Sequence, residues 1–434
     1  MNTLNSQAVK LNDLIQTHNP TVFDMLSRKG KGIYYPWKGI LAQGGRAKGK
    51  EINATLGTAY EDDGSPMVLP SILKKINIDS KCAFPYAPSE GVASLRERWR
   101  DLIRMKNPSL GTKPISLPVV TSALTHGLSM VGYLFMDPGD KIIVPDLCWD
   151  NYDLVFSNGY DAEIVPFNFF KNDVFDVEAF RNAINKEKVG KKIVLLNFPN
   201  NPSGYTPTIE AGKEIIAVLK EAAEKGNNLV VIMDDAYFGL FFEEGICTES
   251  LFSELADLHE HLLVVKVDGI TKEEYAWGFR VGFITYGIKG GNAELYKALE
   301  EKTAGAVRGN ISNASHLSQS LFLEGLKGDS YNEEKLRNEK KIGERYIKVK
   351  EILKGHEEYK TYFDALPFNS GYFMCIRLKG LDTEKVYEKL LNDYSTGVIC
   401  FSDKNILRIA FAAVSATKLE KLFTNIYNAC KDCA

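Results

Sequence analysis

From residue 119 to residue 286 the chain alternates short apolar runs with helix-like patterns. This alternation restricts the fold more than any other feature. Val119-Val120 leads into a turn, Ser122 to Gly127, and then an apolar helix over Leu128–Met136. Lys141–Pro145 and Val189–Asn197 read as strands. Ile209–Lys225 reads as a helix with Ile215, Ile216, Val218 and Leu219 inward. Asn228-Leu-Val-Val-Ile-Met-Asp234 is apolar without alternation, as a strand covered on both faces should be. Leu262–Val267 and Arg280–Tyr286 are two more such runs. Short apolar strands between helices predict an α/β fold: a mostly parallel sheet with helices on both faces. Ligands of such sheets sit beyond the carboxyl ends of the strands, which directs attention to the loops there.

After Gly355 the pattern changes. Gly371–Leu378 reads as a strand, Asp382–Leu391 as a helix, Asn405–Phe411 as a strand, and a closing helix starts at Ser415. This predicts a smaller α+β domain. A chain of 434 residues exceeds one compact core, so the expected division is an N-terminal segment with part of the small domain (1–67), a large domain (68–320) and a C-terminal small domain (321–434). Residues 5–29 read as helical, broken at Asn19-Pro20. Residues 30–50 carry an aromatic cluster, Tyr34-Tyr-Pro-Trp37, able to reach onto another surface. Ile52–Gly57 reads as a strand, and Pro70–Ile78 and Gly91–Met105 as helices.

Composition excludes several functions. A net charge of −3 is not the basic surplus of a nucleic-acid binder. No run approaches the roughly 18 apolar residues of a membrane span. Seven scattered cysteines suggest a reducing, cytoplasmic setting rather than a disulfide framework. Cys430 and Cys433 have CxxC spacing at the chain's end with no second pair, and His259 and His261 flank Glu260 in a polar loop. No metal site is expected.

Four stretches carry chemistry. Lys272 lies in a small polar loop between two strand-like runs and is followed by Gly278-Phe-Arg280-Val-Gly282. Taken alone it could be a solvated loop lysine. Asn197-Phe-Pro-Asn-Asn201-Pro-Ser-Gly204 follows a strand and has more prolines and asparagines than a simple turn requires. Asp234-Asp-Ala-Tyr237 ends a buried strand, where a carboxylate wants a cation or a protonated heterocycle. Arg408, within an apolar strand-like run, wants an anion.

In their order along the chain, Asn197–Gly204, Asp234–Tyr237, Thr271-Lys272 with Gly278–Gly282, and Leu407–Phe411, and at these separations, the stretches resemble those of the class I/II pyridoxal-phosphate-dependent aminotransferases, of fold type I and aspartate aminotransferase-like. The resemblance runs from the Tyr34 region to Arg408 and implies a seven-stranded large-domain sheet, pyridoxal 5′-phosphate as cofactor and a homodimer with shared active sites. It implies that Lys272 forms the Schiff base and then moves the substrate proton. Asp234 would face the pyridine nitrogen, with Asn201 and Tyr237 on the ring oxygen. Arg280, Thr271 and the Ala123-Leu124-Thr125 turn would hold the phosphate, and Trp149 would stack on the ring. Tyr86 would reach the phosphate of a second subunit. Arg408 and Asn201 would bind the substrate carboxylate, with Arg308 a candidate for a distal one. Gly269 departs from the pattern, which often has a serine there. The implied reaction moves an amino group from an L-amino acid, aspartate or aromatic among the candidates, to a 2-oxoacid by a ping-pong route. The same residues admit carbon–sulfur β-elimination, and a non-catalytic regulatory relative is the third alternative.

Overall fold

A computed structural model of the chain describes residues 4–36 and 39–434. Trp37, the last member of the aromatic cluster, lies outside the described residues. The centre is a seven-stranded sheet built from β1 (Val119–Thr121), β2 (Lys141–Pro145), β3 (Glu163–Phe167), β4 (Lys191–Asn197), β5 (Asn228–Asp234), β6 (Leu262–Gly269) and β7 (Gly282–Gly287). Their order across the sheet is β1-β7-β6-β5-β4-β2-β3. Only β7 runs against its neighbours, β1 and β6; the remaining pairs are parallel. The interior strands β4, β5 and β6 are buried almost end to end, which is why they lack polar alternation. Helix Ala123–Phe135 packs on β6 and β7, and helix Ile209–Glu224 packs on β5 and on helix Val177–Asn185.

The expected α/β architecture is present, with local corrections. β3 was not anticipated: it is short, partly exposed and contains Pro166, a residue tolerated there because β3 is an edge strand. The anticipated helix over Pro70–Ile78 is one turn, Pro70–Leu73. The anticipated strand over Ile52–Gly57 is two residues, Ile52–Asn53. The apolar helix does not wait for Leu128 but begins at Ala123, so the Ser122–Gly127 turn is largely its first turn. The Cys430–Cys433 segment closes a helix, Ala416–Cys433, with Cys430 buried.

The second sheet is antiparallel: β8 (Phe363–Ala365), β9 (Met374–Leu378), β10 (Ile399–Phe401) and β11 (Ile406–Ile409), in the order β8-β9-β11-β10. Arg408 therefore sits on an interior strand. Ile52–Asn53 pairs in parallel with Thr396–Gly397 in a separate two-stranded sheet, so the N-terminal segment is tied to the C-terminal part of the chain. The 25-residue helix Tyr331–Gly355 contacts helix Ala416–Cys433, the Pro70–Leu73 turn and the residues just beyond β11.

Candidate active site

Register sets the site. Asn197 at the end of β4 pairs with Asp234 at the end of β5, and Asp234 pairs with Val267 of β6. The chain leaves β6 into a four-residue helix, Ile270–Glu273, that carries Lys272. It returns through a short 3-10 turn, Trp277–Phe279, and Arg280, which adopts a left-handed backbone (φ 55°). Arg280 was expected to start the strand, but β7 begins at Gly282. These ends, the start of helix Ala123–Phe135 and Arg408 of β11 surround a cavity of about 270 Å³. Lys272, Asp234, Tyr237, Asn201, Arg280 and Arg408 all line it, as do Leu124, Thr125 and Trp149.

Charge in the cavity is unbalanced. Three cations, Lys272, Arg280 and Arg408, face one lining carboxylate, Asp234. Among the described residues, Arg280 bonds a backbone carbonyl, that of Trp277, at 3.3 Å, and no carboxylate. Arg408 is 1 % exposed; its Nη1 donates to Asn201 Oδ1 at 3.0 Å and its Nη2 to the Thr55 carbonyl at 2.9 Å. Its Nε is buried with no partner. Burial lowers the Lys272 amine to about 8, with Asp234 raising it and Arg280 lowering it further. Burial raises the Asp234 carboxyl to about 6, against the Tyr152 hydrogen bond and Lys272, which lower it. A cavity with an excess of two positive charges and unfilled donors is a site for anions.

The family model for class I and II aminotransferases matches residues 56–426. The chain belongs to this family. Among relatives, the aspartate aminotransferase of Thermotoga maritima is 24% identical over 375 residues, 84% of this chain and 87% of that protein. The aspartate aminotransferase of Bacillus sp. (strain YM-2) is 25% identical, in an alignment spanning 58% of this chain and 59% of that protein. Among solved structures, an aminotransferase from Anaerococcus prevotii superposes with a TM-score of 0.83 at 25% identity, covering 94% of this chain and 99% of that one. The cytoplasmic aspartate aminotransferase of Saccharomyces cerevisiae shares the fold with a TM-score of 0.77 at 19% identity, covering 96% and 100%.

This aminotransferase is a pyridoxal 5′-phosphate enzyme of fold type I, and its residues fit that cofactor. The N-terminus of helix Ala123–Phe135 offers free backbone N–H groups beside Arg280, as a phosphate requires. Thr271 Oγ1 is buried without a partner. Ala123 does not line the cavity but is buried against β7; a Cβ on Gly282 would come within 2.7 Å of the Ala123 carbonyl carbon. Only glycine there lets the helix start press against the strand. Tyr86 and Arg308 do not line this chain's cavity. Tyr86 is 89 % exposed, and Arg308 is exposed, with Nη1 3.3 Å from Ser312 Oγ.

Several contributors were not singled out from the sequence. Tyr152 is buried and donates to Asp234 Oδ2 at 2.6 Å; its signal was its place three residues after Trp149. Asn197 donates to the Asp234 carbonyl at 2.7 Å and accepts from the Asn201 backbone N–H at 2.7 Å. It thus ties two site loops together. Phe373, Ile40 and Leu41 give the cavity apolar walls, and nothing local in the sequence marks them. His126 accepts from the Ser122 N–H at 3.0 Å and closes the first turn of its helix. Gly269 cannot be the usual serine here. A Cβ at this position would lie 2.6 Å from the Val281 carbonyl oxygen and 2.8 Å from Gly282 Cα.

Proposed function

We propose that the protein transfers the amino group of an L-amino acid to a 2-oxoacid. The observation that carries this is the convergence of Lys272, Asp234, Arg280 and Arg408 on one cavity. Bound pyridoxal phosphate supplies an electron sink for negative charge at the substrate Cα. Lys272 would hold the cofactor, and its Nζ would carry the proton taken from Cα. An amine titrating near 8 suits that transfer at neutral pH. Asp234, kept in place by Tyr152 and Asn197, would pair with the ring nitrogen, and Asn201 and Tyr237 would hold the ring oxygen. Arg280, Thr125 and the start of helix Ala123–Phe135 at Leu124 would take the phosphate, with Thr271 and the Ala123 backbone just behind them, and Trp149 would cover the ring. Arg408 clamps the substrate carboxylate in a direction set by its bonds to Asn201 and Thr55.

The working form in this reading is a homodimer in the cytoplasm, active in amino acid biosynthesis. Seven free cysteines fit a reducing compartment. Support for the dimer comes from the surface around Tyr86. Phe84 is 87 % exposed beside it, and segments 84–91 and 308–316 adjoin, with Ser89 Oγ donating to the Ser312 carbonyl at 2.9 Å. A second copy docked there would bring Tyr86 and Arg308 towards its neighbour's cavity, and Arg308 would then admit acidic side chains. The test is a panel of amino donors, aspartate and aromatic amino acids included, against 2-oxoglutarate. Glutamate formation from one class of donor is expected. Pyruvate release from cysteine or cystathionine without an oxoacid would replace this reading with β-elimination.

A further inference from the structure

Lys272 stands on a helix of four residues, which cannot hold its own shape in water. Its backbone is fixed from outside. The Lys272 carbonyl accepts from Tyr372 Oη at 3.1 Å. The two residues that follow, Glu273 and Glu274, are 3 % and 1 % exposed. Buried carboxylates at such depth need partners, and two helices supply them. Lys106, the last residue of helix Ala93–Lys106, places Nζ 2.7 Å from Glu273 Oε1. Lys335, in the first turns of helix Tyr331–Gly355, places Nζ 2.9 Å from Glu273 Oε1 and 3.0 Å from Glu274 Oε1. Tyr331 Oη donates to Glu274 Oε2. These groups line a second cavity of about 360 Å³ that shares no lining residue with the first.

We propose that Lys335, Tyr331 and Lys106 are positioning residues for Lys272: by gripping Glu273 and Glu274 they fix the backbone from which the lysine amine reaches the cofactor cavity. This rests on the reading of Lys272 as the cofactor's lysine. Burial pushes the Glu273 carboxyl up, but Lys106 and Lys335 outweigh it and hold it below the usual carboxylate range. Glu273 therefore stays ionised and gripped at neutral pH, and Glu274 is gripped beside it by Lys335 and Tyr331. The same helix reaches the substrate side. Its Arg345 Nη1 donates to the Ala412 carbonyl at 2.6 Å, beyond Arg408, and its Nη2 to Asp62 Oδ1 at 2.9 Å. One rigid helix thus spans from the lysine's loop to the segment that follows the substrate-binding arginine.

The test uses the cofactor-loaded enzyme and the variants Lys335→Met, Lys335→Arg and Tyr331→Phe. The first readout needs no substrate: the pH midpoint of the visible band of lysine-bound cofactor. Lys335→Met should move that midpoint upward, because carboxylates deprived of their cation favour the protonated form nearby. Its kcat should fall about 10- to 100-fold, as for a misplaced reacting group, with KM little changed. Lys335→Arg should restore both, and Tyr331→Phe should give a smaller change in the same direction. The proposal is overturned if Lys335→Met and Tyr331→Phe keep the wild-type midpoint and kcat, whatever their melting temperatures, or if Lys335→Arg rescues neither. Should Lys335→Met fail to fold, Tyr331→Phe and Lys335→Arg decide: an unchanged midpoint and kcat in Tyr331→Phe overturns it. A wild-type enzyme without transaminase activity would sink the proposed reaction and leave the band measurement intact.

Discussion

Removing one hydroxyl, in Tyr152→Phe, should change how stability depends on pH. Tyr152 donates to Asp234 Oδ2 at 2.6 Å in a fully buried setting. A hydrogen bond to a charged group contributes about 1.5–3 kcal/mol, against about 1 kcal/mol for a neutral pair. The Asp234 carboxyl titrates at about 6 in the fold, raised by burial from the ordinary 3.8. Its folded value lies above its unfolded value, so the folded state binds the proton more tightly. Stability from this group is present at low pH and is lost as pH rises through about 6. Without the Tyr152 donor the carboxylate is less favoured, and at about 1.4 kcal/mol per unit the carboxyl should rise by about one to two units. The loss of stability then continues to about pH 7–8. The assay is urea denaturation of the cofactor-free protein and of Tyr152→Phe at pH 5 and pH 8. The difference between the two proteins should grow by about 1.5–3 kcal/mol from the lower to the higher pH. A difference that is flat with pH, or that shrinks, would refute the assignment of Tyr152 as the carboxylate's donor.

Other substitutions test other walls of the site. Arg280→Leu removes a cation that no side chain among the described residues neutralises; at about 1.5–3 kcal/mol for a charge-assisted bond, cofactor dissociation should rise about 10- to 100-fold by equilibrium titration. Arg408→Gln should raise KM for every amino donor tried while leaving cofactor affinity within about twofold, since a uniform substrate contact affects binding first. Gly269→Ser should cost about 1–3 kcal/mol in chemical denaturation, because the Val281 carbonyl and Gly282 Cα that its Cβ would meet are backbone atoms and cannot swing away. A Gly269→Ser protein as stable as wild type would contradict that packing.

What the sequence disclosed follows physical lines. β5 and β6 were legible because strands covered on both faces are continuous apolar runs. β3 was not, because an edge strand need not be apolar and Pro166 argues against a strand wherever a ladder bond is needed. Asn201 stood out in a stretch richer in proline and asparagine than a turn requires, and Asp234 and Arg408 as charges in apolar strand-like runs; Lys272, Tyr237 and Arg280 gained their roles from the family resemblance, and the fold brings all six to one cavity. Phe373, Ile40 and Leu41 were invisible because a wall residue carries no chemistry of its own; only the meeting of distant segments makes it one. Glu273 and Glu274 were read as part of a polar loop, since paired glutamates usually mark a surface. Their burial depends on Lys106, 167 positions away in sequence, and on Lys335, 62 positions away. Tyr86 and Arg308 do not line the cavity of their own chain, and a single sequence says nothing about what a second copy would set beside them.

The central claim is that Lys272 holds the cofactor, and chemical trapping tests it most directly. The cofactor-loaded enzyme is reduced with borohydride, digested, and its peptides are weighed. The account predicts a pyridoxyl-phosphate adduct confined to the peptide containing Lys272. The runner-up for a buried lysine is Lys266, which is held by Asp235 and should stay unmodified. An adduct on Lys266 or on any other lysine, with the Lys272 peptide unchanged, would contradict the account.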